Sequence, residues 1–223
     1  MKNKKLNLPK GTVLFGNLII CILFAMPSFL YYMRNGTVFK FNKYFKFLLN
    51  NSDRVEQTAV YFIILLAMVI LYLVIIKLRK QVFSSTKKMF LYITIIAIIF
   101  VAIIPFTCSD VFYYLGVGRI ESKYGQNPYY TTIKEFVETG DNSKYLEQDT
   151  VLEQGYINDW SDSTVVYGPL WAFICKIVST FSFGNIDIGL LVFKLLNVVI
   201  HLLNCYFILQ TYHCEHMQFL LLK

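Results

Sequence analysis

The chain has 223 residues, of which 56% are hydrophobic, 17% aromatic and only 16% charged, a composition that excludes an ordinary soluble domain. Its net charge of +7 does not point to nucleic acid, because the excess Lys and Arg sit at the ends of apolar runs and in short loops, where membrane topology alone puts them. Five cysteines (Cys21, Cys108, Cys175, Cys205, Cys214) show no paired spacing and imply no disulfide framework.

Residues 12–32 form the first apolar run. Lys2, Lys4, Lys5 and Lys10 precede it as they would a secretory signal, but the run is long and lacks a small-x-small cleavage site, so it reads as a retained anchor. The segment 34–57 carries Arg34, Lys40, Lys43, Lys46 and Arg54. Phe41, Tyr44, Phe45 and Leu48 lie on the opposite side, a pattern that fits either an amphipathic surface helix or an ordinary basic loop. Runs 58–76 and 89–107 are each roughly 20 residues, enough to cross about 30 Å of hydrocarbon. The loop between them holds Lys77, Arg79, Lys80, Lys87 and Lys88 without an acid. Like the Lys-rich amino terminus, it is expected in the cytoplasm.

That orientation puts residues 108–164 outside, a loop with ten acids against four bases. Within it, 110–122 has helical character and an aromatic face, broken by Gly125 and Asn127-Pro128. Thr132-Ile133-Lys134-Glu135 has the capping-box form and Gly140 suits a helix end. Juxtamembrane helices packed on the bilayer surface are therefore expected. Tyr167-Gly168-Pro169-Leu170-Trp171 reads as a helix start, since proline fits the first turn. It opens a fourth, weaker run, 165–183, interrupted by Pro169 and Lys176. A fifth run, 187–212, contains Lys194, Asn197, His201 and Asn204. The expected fold is all-α and polytopic, with about five spans. Residues 1–88 form an amino-terminal helix pair and 89–223 a second module.

Several residues could carry chemistry. Asp110 sits at a span end, where an ionisable group is costly unless hydrated or paired; Ser109 and Asp110 would equally suit a helix cap. Tyr113, Tyr114, Tyr124, Tyr129 and Tyr130 could stack on a sugar or anchor the chain at the interface. His213-Cys214-Glu215-His216 is not a complete metal-ligand set, and Gly116-Val117-Gly118 has no preceding strand and no third glycine, so it is not a nucleotide loop.

Ser109-Asp110-Val111-Phe112-Tyr113-Tyr114, Gly118-Arg119-Ile120, Tyr124-Gly125-Gln126-Asn127-Pro128-Tyr129, Tyr167-Gly168-Pro169-Leu170-Trp171 and Phe193-Lys194-Leu195-Leu196-Asn197 occur in this order. Over about residues 89–200 the arrangement resembles the amino-terminal part of the polyprenol-phosphate-mannose-dependent mannosyltransferases of the GT-C superfamily. Those are the actinobacterial α-1,6-mannopyranosyltransferases and their Firmicute relatives. The resemblance implies a multi-pass glycosyltransferase of the cell membrane with its active site on the extracytoplasmic face, the module 89–223 being the amino-terminal part of a GT-C-like fold. It implies a polyprenyl-phosphate sugar donor, a glycan or glycolipid acceptor and the lipid bilayer as partners. Asp110 corresponds to the family's first-loop aspartate and is the expected general base; Tyr113, Tyr114, Arg119, Tyr167 and Trp171 are the expected substrate contacts. Asp159 and Asp162 match the pattern poorly and receive no role. The scheme requires no cofactor or metal, although a divalent ion is compatible with it. Members of the family have more spans, so the chain reads as an amino-terminal part that is inactive alone. Two other classes share these features: a lipid-linked polysaccharide polymerase, ligase or flippase component, and a non-catalytic membrane fragment. A basic outer loop would favour the polymerase, and this loop is acidic.

Overall fold

The structure, a computed structural model, describes residues 10–35, 54–103 and 109–221. Among these it is all-helical, with eight α-helices, one 3₁₀ turn and no strand: α1 (Lys10–Asn35), α2 (Arg54–Val82), α3 (Thr86–Val101), α4 (Asp110–Ser122), α5 (Ile133–Glu138), the 3₁₀ turn (Asn142–Tyr145), α6 (Thr150–Tyr156), α7 (Pro169–Phe181) and α8 (Ile186–Leu221). The chain divides into two compact units, one holding α1–α3 and residues 202–221 of α8, the other residues 109–201. The basic segment 34–57, which fits either an amphipathic helix or a basic loop, lies mostly outside the described residues, as do the side chains of His213, Cys214, Glu215 and His216.

In the first unit α1 packs on α2 and α3. The polar anchor is Asn17, buried on α1, whose Oδ1 accepts a 2.6 Å hydrogen bond from the Tyr92 hydroxyl of α3. Ser85 caps α3 by accepting from the Lys88 amide at 3.4 Å. In contrast, α2 leaves Phe62, Ile63, Leu66, Ile70 and Leu73 uncovered, an apolar surface suited to lipid rather than water.

Two helices have a stretch long and apolar enough to cross a bilayer, Phe62–Arg79 in α2 and Ile186–Thr211 in α8. The five expected spans do not each find one. The described apolar stretch of α1 is Gly11–Ala25, and α7 is a helix of 13 residues, about 20 Å long against a core of about 30 Å.

The second unit is built around α4, which the aromatic pattern suggested would be a surface helix. Tyr113 and every residue from Leu115 to Ile120 are instead buried. Three glycine contacts explain how. A Cβ on Gly116 would stand 2.8 Å from the Gly155 Cα of α6, one on Gly118 would overlap the Cys175 carbonyl of α7, and one on Gly189 of α8 would meet Leu115 at 3.2 Å. The helices α6 and α7 therefore meet α4 at backbone distance, and α8 closes on the Leu115 side chain. Val117, Ile120, Ile133, Phe136, Val137, Leu152 and Val165 fill the remaining core. The capping box at Thr132 is present as expected, with Oγ1 accepting from Glu135 N at 3.0 Å. Gly125 and Gly140 take the positive φ values that end their segments.

Candidate active site

The first turn of α4 presents the acid. Ser109 is the N-cap residue, but its side chain makes no capping bond; its carbonyl accepts instead from Asn158 Nδ2 at 2.9 Å. Asp110 follows as the first helical residue, half-buried, and its carboxylate has no hydrogen-bond or ion-pair partner among the described residues. Neither side chain is spent on capping.

One turn on, at positions i+3 and i+4 that share the Asp110 face, stand Tyr113 and Tyr114. The Tyr113 ring is buried and its hydroxyl donates to the Ser163 carbonyl at 3.1 Å. Burial, reinforced by nearby Tyr167 and Cys175, pushes this phenol up to about 12, so it remains a donor. The Tyr114 hydroxyl lies 3.0 Å from that of Tyr167. Its ring stands edge-on to Tyr167 and to Trp171, each at 5.3 Å, and nearly parallel to Phe193 at 6.4 Å. Trp171 meets Phe193 edge-on at 5.7 Å. Gly168 caps α7, Pro169 opens it, and the Tyr167 carbonyl accepts from Tyr129 OH at 3.0 Å. The local turn chemistry thus fixes where Tyr167 and Trp171 stand. The Trp171 indole N–H is buried without an acceptor among the described residues.

Three of the five expected substrate contacts, Tyr114, Tyr167 and Trp171, therefore converge in one aromatic cluster one turn from Asp110, with Tyr113 beside it. Phe193 belongs to the cluster as well; its only sequence signal was its place at the head of the Phe193-Lys194-Leu195-Leu196-Asn197 motif. Arg119 stands elsewhere. Its Nε donates to Asp149 Oδ2 at 2.7 Å, and the two side chains are 8% and 0% exposed. The same Asp149 oxygen accepts from Tyr124 OH at 3.0 Å and Lys123 Nζ at 3.3 Å, while Oδ1 caps α6 by accepting from Leu152 N at 3.1 Å. Burial, reinforced by the Asp149 carboxylate, holds the Tyr124 phenol well above its ordinary value. Gly184, at φ +82°, presses on this pair: a Cβ there would lie 2.7 Å from an Arg119 guanidinium nitrogen. Asp149 was not singled out from the sequence, although an acid just before Thr150-Val151-Leu152 is a helix-start signal. Asp159 and Asp162 are exposed on the loop, the latter accepting from Ser163 Oγ at 3.4 Å. Among the described residues no three His, Cys, Asp or Glu side chains converge as a metal site.

A family model, that of the alpha-(1->6)-mannopyranosyltransferase N-terminal domain, matches residues 14–214, and the chain belongs to this family. No curated protein and no solved structure gives a significant match.

Proposed function

Starting from membership in a family of mannosyltransferases, we propose that this domain supplies the acceptor-activating end of a GT-C-type active site. The site works on the outer face of a multi-pass membrane enzyme and takes mannose from a polyprenyl-phosphate donor. The observation that carries the reading is the Asp110 carboxylate, unpaired among the described residues and one turn from the cluster of Tyr114, Tyr167, Trp171 and Phe193. A carboxylate without an internal partner is free to accept the proton of a glycan or glycolipid hydroxyl. A phosphate leaving group needs little protonation, so one base suffices, and the transition state has oxocarbenium character as in other glycosyl transfers. The Tyr167 hydroxyl provides a polar contact and the aromatic faces provide sugar-stacking surface, while Tyr113, whose proton goes to the Ser163 carbonyl, fixes the start of α4. Arg119 acts through Asp149 as a brace that keeps α4 in place.

The test is Asp110→Asn in the enzyme that contains this domain, assayed as mannose transfer from polyprenyl-phosphate mannose in membranes matched for protein level. Asparagine keeps size and capping ability but not basicity, so turnover should fall roughly 100-fold or more while donor binding persists. Activity within a few-fold of the parent removes Asp110 from the chemistry. Orientation is tested separately: a cysteine at exposed Ser143 should react with an impermeant maleimide on intact cells.

A further inference from the structure

We propose that α7 does not cross the membrane but lies along its surface, docking a stripe of Leu170, Phe173, Ile177 and Phe181 into the outer leaflet. The proposal takes its choice of leaflet from the orientation just given. The four residues recur at helical spacing on one face and are 72%, 57%, 40% and 56% exposed. The opposite face, Ala172, Cys175, Val178 and Ser179, is buried, with Cys175 and Ser179 against Gly118 of α4. Length alone argues against a span, at about 20 Å.

The companions of α7 make the stronger case. Its first turn meets Tyr114, near the start of α4, through Trp171, and its last turns meet Gly118 through Ser179. Past Phe183 and Gly184, both at positive φ, α8 returns along α4: Gly184 abuts Arg119, Gly189 abuts Leu115, and Phe193 reaches Tyr114 and Trp171. The segment is a helical hairpin laid on α4. Were α7 upright in the bilayer, its far end would carry the Arg119–Asp149–Lys123 cluster and the 3.1 Å Lys176–Glu121 pair into hydrocarbon. Each ionisable group there is costly. Laid flat, the hairpin keeps those groups at headgroup level and puts only the stripe into acyl chains, the geometry of an interfacial amphipathic helix. Lipid is the occupant because along the chain the stripe continues through exposed Phe183 to Ile188, Leu191 and Leu195 of α8, which holds a stretch of crossing length. Beyond Phe193, the apolar stretch of α8 retains 18 residues, about 27 Å, within the range that crosses a bilayer core. The cluster around Tyr114 and Trp171 then sits at the leaflet surface, where an acceptor from water and a lipid-linked donor can meet.

Two measurements on the full protein in membranes, with native cysteines replaced, test this. Cysteines at Thr180 and Asn185, both exposed and outside the apolar stripe, should react with impermeant maleimide from the same side as one at Ser143. Modification from the opposite side means that α7 crosses and overturns the proposal. If all three react only after permeabilisation, the outer-face orientation fails while the uncrossed α7 stands. Nitroxides at positions 170 and 181 should report similar shallow depths against lipid-soluble relaxants. A progression of about 16 Å, expected for eleven residues of upright helix, or a water-exposed or lipid-inaccessible signal at both positions, overturns the docking.

Discussion

Asp149→Ala is the perturbation whose size the structure fixes best. The carboxylate is fully buried and receives Arg119, Tyr124, Lys123 and the Leu152 amide. Truncation leaves the Arg119 guanidinium, itself 8% exposed, buried and uncompensated, a loss of about 3–5 kcal/mol. The lost cap on α6 adds about 1 kcal/mol. The loss should fall on the unit of residues 109–201, since every partner of Asp149 lies within it. Asp149→Asn retains a capping oxygen and should cost less than Ala. Combining it with Arg119→Met removes the buried cation as well and should recover most of the stability, to within about 1–2 kcal/mol of the parent, because a desolvated pair is worth little against an apolar replacement. The assay is equilibrium unfolding in detergent micelles, completed as a double-mutant cycle and accompanied by hydrogen exchange of the peptide carrying α6. A coupling energy below about 0.5 kcal/mol, or Asp149→Ala indistinguishable from the parent, would refute the buried-brace reasoning.

Gly118→Ala should lower thermal stability by about 1–3 kcal/mol through overpacking, since its Cβ would overlap the Cys175 carbonyl, whereas Gly11→Ala, with nothing nearby, should be silent; matched melting curves check both. Glu121→Gln should cost less than about 1 kcal/mol in the same assay, because the Lys176–Glu121 pair is partly exposed. Tyr113 and Tyr124 hold their protons more tightly when folded than when unfolded, where a phenol titrates near 10. Their contribution is therefore complete below pH 10 and is lost as pH rises from there towards about 12 for Tyr113 and beyond for Tyr124. Tyr113→Phe should flatten part of that alkaline decline, as followed by unfolding at stepped pH.

The sequence alone determined what depends on near neighbours. Apolar runs point to membrane association, because hydrocarbon admits only internally bonded backbone. The helix 110–122, the capping box at Thr132, the Gly168-Pro169 start and the glycine breaks follow from turn and cap chemistry that a few consecutive residues contain. Asp110, Tyr114, Tyr167 and Trp171 could be named as candidates because their residue types and order carry the resemblance. Tertiary structure decided what long-range packing controls. Nothing local tells that Gly116 and Gly118 are seats for α6 and α7 rather than loop glycines, or that α4 is a core helix, since both depend on partners about 40 and 60 residues away. Arg119 was expected as a substrate contact; the fold brings Asp149 against it from 30 residues off. The fourth apolar run has the composition of a weak span, but its helix is short and runs parallel to α4, near the buried Arg119–Asp149 pair. Hydropathy averages a helix over its circumference; only packing shows which face is covered and which one remains for lipid.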